Sequence, residues 1–188
     1  MKRSLILMLF LCLKHSVGAQ DVVPKLPISV SYFSFLGFQP GAKLGVRFDL
    51  KKWEKEKKDY RLQRSFFIRP QLGFYTNPDI HTSYLVNVDF GYQRTKSHKR
   101  TYWAWSLGLA YLNQAQITAR RIHLGEGTQT PLREHWSWFL PTLNGEFGKA
   151  INERITWYTQ LSYGLKVAPR KSSSSVFFFE LGGQFNLF

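Results

Sequence analysis

The sequence predicts an all-β protein, a single closed antiparallel up-and-down β-barrel of about eight strands that crosses a membrane. Three observations predict this fold. The chain opens with a segment typical of an export signal, and eight later segments alternate between apolar and polar side chains. Beyond that signal, no stretch stays apolar for the roughly 20 residues that a membrane-spanning helix requires. Any membrane span must therefore be built from strands.

The first 19 residues have the parts of a secretory signal peptide. Lys2 and Arg3 precede an apolar run at residues 5–13, and the small residues 17–19 offer a cleavage site before Gln20. The sequence thus predicts a signal peptide at residues 1–19 and one barrel domain at residues 20–188. The only cysteine, Cys12, lies in the signal, so neither disulfides nor a thiolate metal site would support the mature chain.

The alternation marks the strands. It is strict at residues 41–50, 84–93 and 155–166, and looser at 28–38, 65–75, 102–112, 138–149 and 176–187. Turn-forming residues separate these segments, among them Gln39-Pro40-Gly41 and Asn152-Glu153. The highly charged residues 51–61 are predicted to form a solvated loop, in preference to a charged helical turn or the end of a long hairpin.

Alternation alone also fits a soluble β-sandwich or a lipocalin-like barrel, so the content of the two faces must decide. The polar faces are rich in Gly, Ser, Asn and Gln, and large aromatics lie on the apolar faces near the strand ends. Aromatic girdles of this kind are typical of membrane barrels. The aromatic residues assigned to the outer face are Trp103, Trp105, Trp136, Trp138, Trp157, Phe74, Tyr75 and Tyr92.

The polar faces also carry charged residues, which a membrane barrel would point into its lumen. For eight strands the lumen is just wide enough for side chains to fill, and buried charges must be paired. The sequence therefore predicts a salt-bridged plug, in preference to a conducting pore or a ligand site. Its predicted members are Lys43, Arg47, Asp49, Arg69, Asp89, Glu146 and Glu180, with Gln160 and Gln184 beside them.

The C-terminal segment VFFFELGGQFNLF alternates apolar residues and ends in an aromatic. It resembles the assembly signal of outer-membrane barrels, with Phe185, Leu187 and Phe188 as the matching residues. As architecture, the whole mature chain resembles the small eight-stranded outer-membrane β-barrel proteins of bacteria. The resemblance implies a location in the outer membrane of a Gram-negative bacterium, insertion by the barrel assembly machinery, and a monomer. With Phe188 in the periplasm, strand parity places the joins at 51–61 and 94–100 there too.

Catalytic and metal-binding patterns are missing from the sequence. His81, His98, His123 and His135 are scattered without zinc-type spacing, and no nucleophile elbow or phosphate loop occurs. The sequence therefore predicts a protein that is not an enzyme and has no metal or cofactor. The lesser alternative, a lipid-modifying barrel enzyme, would use His123 or His135 with Ser137 and Glu134.

The net charge of +14 would usually indicate a nucleic-acid partner. An exported protein meets little nucleic acid, whereas phosphates and carboxylates of lipopolysaccharide are abundant at a Gram-negative surface. The predicted partners are therefore outer-membrane lipids, including lipopolysaccharide, and no nucleic acid. The predicted role is structural or surface-interacting, and a small-molecule conduit or carrier is the main alternative.

Overall fold

The structure is a computed structural model that describes residues 26–35, 39–57, 60–77, 80–96, 99–122, 129–167 and 173–186. The predicted signal peptide, residues 1–19, lies outside the described residues, as do Leu187 and Phe188 of the predicted assembly signal. The described part of the chain contains no helix that is long and apolar enough to cross a membrane.

Strands make up nearly all of the described chain. They are β1 Pro27–Phe35, β2 Gln39–Val46, β3 Phe48–Lys57, β4 Tyr60–Asn77, β5 His81–Lys96, β6 Thr101–Ile122, β7 Gln129–Ala150, β8 Ile155–Lys166 and β9 Ser174–Asn186.

The segments β2 and β3 form one strand of the barrel, interrupted at Arg47. Gly45 pairs with Gln71 and Phe48 pairs with Ile68, both on β4. Gly45 and Phe48 are three positions apart, and so are their partners Gln71 and Ile68. The register with β4 is therefore unchanged across Arg47. The barrel thus has the eight strand positions that the sequence predicts.

The barrel is closed because β1 pairs with β9, beginning at Pro27 and Asn186. Every neighbouring pair is antiparallel, which confirms the predicted fold class. A path through paired residues that starts at Leu62 crosses every strand position and returns to β4 at Leu72, ten residues further along. With a rise of about 3.3 Å per residue and about 4.8 Å between strands, this stagger tilts the strands by about 40°.

One end of the barrel, here called the termini end, carries the first residue of β1 and the last of β9. The turns of this end are tied together by backbone hydrogen bonds: the Ala150 amide donates to the Arg100 carbonyl, and the Asn186 amide donates to the Arg154 carbonyl. The opposite end carries four connections, between β1 and β2, β4 and β5, β6 and β7, and β8 and β9, and the hairpin of β6 and β7 is the longest there.

The predicted solvated loop at residues 51–61 is wrong. β3 continues to Lys57 and β4 begins at Tyr60, so this segment is the end of a long hairpin. A strand ladder needs backbone pairing rather than apolar side chains, and Trp53 anchors this one by packing 5.3 Å from Phe66, between ring centres. Backbone pairing also extends β6 and β7 well past the predicted limits of residues 112 and 138.

The two faces of the barrel have opposite chemistry. Outward side chains such as Leu161 and Trp105 are 66% and 60% exposed, whereas the inward carboxylates of Asp89 and Glu180 are 0% and 1% exposed. Water-soluble monomers rarely expose large contiguous apolar surfaces, and they almost never bury charges without partners. This barrel is apolar outside and polar inside, the reverse of a soluble barrel.

Candidate functional site in the barrel interior

The centre of the lumen is organised by Arg69, which projects from β4. Its Nη1 donates a hydrogen bond of 2.7 Å to Glu146 Oε2 on β7. Its Nη2 donates at 3.1 Å to Asp89 Oδ2 on β5 and at 2.6 Å to Gln160 Oε1 on β8. The planar guanidinium can bridge two carboxylates because it presents five donors in a fixed fork. One side chain thereby joins four strands across the lumen.

The two carboxylates that face Arg69 are also satisfied by neutral donors. Glu146 Oε1 accepts a hydrogen bond of 2.6 Å from the Tyr102 hydroxyl. Asp89 Oδ1 accepts from the amide nitrogens of Asn87 at 2.8 Å and Asn144 at 3.0 Å. Buried charges are costly unless they are paired and hydrogen-bonded. Both conditions are met for these two carboxylates.

A second ion pair lies beside the first. Lys43 on β2 donates a hydrogen bond to Glu180 on β9, and both side chains are buried. Glu180 Oε1 also accepts hydrogen bonds from the hydroxyls of Ser31, at 2.7 Å, and Tyr158, at 2.6 Å. This cluster joins β1, β2, β8 and β9, so it spans the seam at which the barrel closes.

The third ion pair lies at the break between β2 and β3. Arg47 donates to Asp49 Oδ1 from Nε at 3.0 Å and from Nη2 at 2.9 Å. Its guanidinium lies 4.1 Å from the centre of the Phe67 ring, a cation–π arrangement. The Asp49 carboxylate also pairs at 3.0 Å with the exposed Lys52.

The structure therefore places all seven predicted lumen residues in ion pairs, arranged as three separate groups. Sequence reasoning did not assign the neutral donors Tyr102, Tyr158, Asn87 and Asn144 to this network. The alternation along each strand could have indicated them, because each occupies an inward-facing position. Their role became visible only when the partner carboxylates on neighbouring strands were located.

An apolar layer closes the lumen on the side away from the termini. Phe33 stacks on Phe178, with ring centres 4.9 Å apart, and meets Tyr75 edge-on at 5.8 Å. Tyr75 is buried in this layer and Trp138 packs against it, so their assignment to the outer girdle is wrong. Tyr75 follows the outward Phe74, and adjacent residues of a strand point to opposite faces.

Little space remains between the apolar layer and the ion pairs. An interior void there has a volume of about 10 Å³ and is bordered by Phe33, Lys43, Leu85, Asn87 and other inward side chains. A void of this size holds at most one water molecule. Between the apolar layer and the ion pairs, side chains therefore fill the described interior of the barrel.

The residues considered for catalysis have other partners. Ser137 Oγ accepts hydrogen bonds from the Tyr111 hydroxyl at 2.6 Å and from Asn113 Nδ2 at 3.3 Å. His135 Nδ1 lies 3.4 Å from Asn113 Oδ1, and no hydrogen bond joins His135 to Ser137, as an activated nucleophile would require.

The other members of that set add no catalytic geometry. Glu134 Oε2 accepts a hydrogen bond from Trp136 Nε1 at 3.2 Å, and His123 lies outside the described residues. The described part of the chain also has no group of His, Cys, Asp and Glu that could hold a metal ion.

Only Phe185 of the predicted assembly signal can be located. It lies near the end of β9, where it pairs with Ile28 on β1 and Ile155 on β8. The residue therefore lies on the last strand of the chain, at the seam where the barrel closes, with its side chain on the outward face. Its role in assembly stays a prediction.

No protein-family model and no curated protein sequence matches the chain. Solved structures do match. The outer membrane enzyme PagL superposes with a TM-score of 0.56 at 8% identity, over 86% of this chain and 99% of PagL. The N-terminal β-barrel domain of Pseudomonas aeruginosa OprF gives a TM-score of 0.57 at 13% identity, over 87% and 97% of the two chains. At these identities the similarity is one of fold. The chain has the fold of the small eight-stranded outer-membrane β-barrels.

Proposed function

We propose that this protein spans the bacterial outer membrane as a sealed barrel and acts through its surface, in a structural or surface-interaction role. The filled lumen carries the proposal. Two buried ion-pair groups, a third that is partly buried, and an apolar layer occupy the interior, and eight strands leave little space beyond side chains. A steady water-filled path would require these ion pairs to separate, which is costly wherever a charge stays buried without its partner.

The outer face supports the membrane location. Near the termini end, Trp103, Phe147 and Trp157 form one aromatic group. Towards the other end, Tyr163 packs on Phe177, with ring centres 4.9 Å apart. Along β6, the exposed Tyr111 lies eight positions after Trp103. At about 3.3 Å per residue and with the strand tilt, this is about 20 Å along the barrel axis. Membrane barrels have aromatic girdles on either side of an apolar band about 25 Å tall.

We infer the orientation from the lengths of the connections at the two ends. Outer-membrane barrels carry short turns on the periplasmic side and longer loops outside. The termini end has the four-residue turn at residues 151–154, and the long hairpin of β6 and β7 lies at the other end. We place the termini end in the periplasm, the other end towards lipopolysaccharide, and insertion with the barrel assembly machinery. The protein is proposed to be a monomer.

We propose no enzymatic role, since Ser137 and His135 each bond to Asn113 rather than to each other. A conduit or carrier role has no specific support, because the void between the apolar layer and the ion pairs holds at most one water molecule.

Conductance tests the sealed lumen. Purified protein in planar bilayers should give no steady current, because the ion pairs and the apolar layer block the path. The same sample should migrate faster unheated than boiled in gel electrophoresis, which shows that the barrel is folded. A steady current from folded protein would contradict the sealed lumen and favour the conduit. Recovery as a soluble periplasmic monomer would contradict the membrane location.

A further inference from the structure

The outward face of the termini end is strongly basic. Strand parity and pairing place Lys51 and Lys55 of β3, Arg64 of β4, Arg94 and Lys96 of β5, and Lys149 of β7 on this face. We call these six residues the basic rim. They lie next to the aromatic girdle of the same end, because Arg64 and Arg94 each lie two residues beyond an outward aromatic, Phe66 and Tyr92.

No carboxylate balances the basic rim within the described strands. Along β3, the parity of Glu54 and Glu56 places them on the opposite face, and Asp49 is already paired with Arg47 and Lys52. None of the six rim residues takes part in an ion pair among the described residues. Among the described strands, the rim is therefore an uncompensated cluster of positive charge at the level where lipid headgroups meet a membrane barrel.

Two of its arginines are direct cross-strand neighbours. Arg64 pairs with Arg94, which places their Cβ atoms about 4.5–5.5 Å apart on the same face. Like charges in this position repel each other. The Arg64 Nε is also buried, without a hydrogen-bond partner among the described residues. An anion between the two guanidinium groups would relieve the repulsion and accept the unused donor.

An apolar groove begins beside this arginine pair and continues along the outer face. It has a volume of about 540 Å³, and its lining includes Leu50, Phe66, Phe90, Tyr92, Trp105 and Leu143. Lys51 lies at its edge, and Trp53 packs against Phe66 and Tyr92 next to it. The surface thus combines two adjacent arginines at headgroup level with an apolar groove that is directed towards the membrane centre.

We propose that the basic rim and this groove bind an anionic glycerophospholipid, with its phosphate between Arg64 and Arg94 and an acyl chain in the groove. The inference rests on the membrane location proposed above. Because the termini end is placed in the periplasm, the ligand is a phospholipid of the periplasmic leaflet. Arginine suits this role because its fork can bind phosphate oxygens in a bidentate manner.

Tryptophan quenching by brominated lipid tests the site, because Trp53 and Trp105 flank it. The full barrel is reconstituted in phosphatidylcholine vesicles that contain increasing fractions of brominated phosphatidylglycerol, or of brominated phosphatidylcholine as the reference. Wild-type protein should be quenched at lower fractions of phosphatidylglycerol. The double variant R64Q/R94Q should lose roughly 30-fold of this preference, since each surface cation strengthens binding to anionic lipid severalfold.

The matched control is K99Q/R154Q, which removes the same charge from two turns at the same end and should keep the wild-type preference. The variant R64K/R94K should retain most of it. Gel migration, unheated against boiled, is checked for every variant, so loss of the lipid site is distinguished from loss of the folded membrane barrel.

Four outcomes would overturn the proposal: equal quenching by the two lipids in wild type, an unchanged preference in folded R64Q/R94Q, an equal loss in the control, or displacement of the brominated lipid by inorganic phosphate. Recovery of fluorescence on adding stoichiometric lipopolysaccharide would reassign the site to that lipid.

Discussion

Substitution of Arg69 by methionine should strongly destabilise the barrel. The variant R69M keeps a long side chain but leaves the buried carboxylates of Glu146 and Asp89 without their cation. Glu146 would keep the Tyr102 hydroxyl as a donor, and Asp89 would keep two amide donors. Removing one partner of a buried ion pair costs about 3–5 kcal/mol. Because neutral donors remain, we expect about 3 kcal/mol, at the lower end of that range.

Equilibrium unfolding by urea in phospholipid vesicles, followed by tryptophan fluorescence, measures this cost. The matched control is R61M, which breaks the exposed pair of Arg61 with Glu56, whose side chains are 69% and 78% exposed. That pair should contribute less than about 1 kcal/mol. The double variant R69M/E146M should be more stable than the sum of the single changes predicts, since it leaves only the Asp89 carboxylate without a cation, whereas R69M leaves both carboxylates unpaired. Equal losses for R69M and R61M would refute the network as a stabilising plug.

Three further predictions concern packing, pH and orientation. Gly148→Ala should lower the free energy of unfolding by about 1–3 kcal/mol, because the added Cβ would lie 2.3 Å from a tyrosine ring. The control Gly183→Ala should cost less, because its Cβ would lie 3.2 Å from the nearest ring. Equal urea midpoints for the two variants would contradict this packing argument. Burial lowers the pKa of His81, at the mouth of the barrel beyond the girdle, and a nearby lysine lowers it further. The contribution of His81 to stability should therefore be constant above about pH 6.5 and fall as the pH drops below it, since the unfolded chain takes up the proton first. A His81→Phe variant with the same pH dependence as wild type would disprove the assignment. An impermeant maleimide should label Ser173→Cys but not Lys99→Cys on intact cells, and the reverse pattern would overturn the orientation.

The inward residues could be predicted from the sequence because strand periodicity is local. Once Lys43 and Arg47 are recognised on one face of an alternating strand, their shared direction follows from the two-residue repeat. The same rule could have excluded Tyr75 from the outer girdle, since Phe74 already occupies the outward position beside it. Aromatic content alone does not distinguish the two faces of a strand, whereas the two-residue repeat does.

The ends of the strands were harder to predict from the sequence. The charged residues after Leu50 resemble a solvated loop because neither face shows apolar periodicity, yet β3 continues to Lys57. Pairing with β4 and the contact between Trp53 and Phe66 extend the hairpin. Both are interactions between strands, so the sequence of one segment does not predict them. The basic rim was missed in the same way, since its members come from four strands and meet only in the barrel.

The sequence by itself determined that the chain forms alternating strands and which polar residues share a direction, because side chains change face with every residue. Only the tertiary structure decided which partner each charge meets. The stagger of ten residues accumulates around the whole ring, and it brings Arg69 level with Glu146 and Asp89, and Lys43 level with Glu180. A stagger of a different size would align other residues across the lumen. Partner choice is therefore a property of ring closure, to which every strand contributes and which no local pattern specifies.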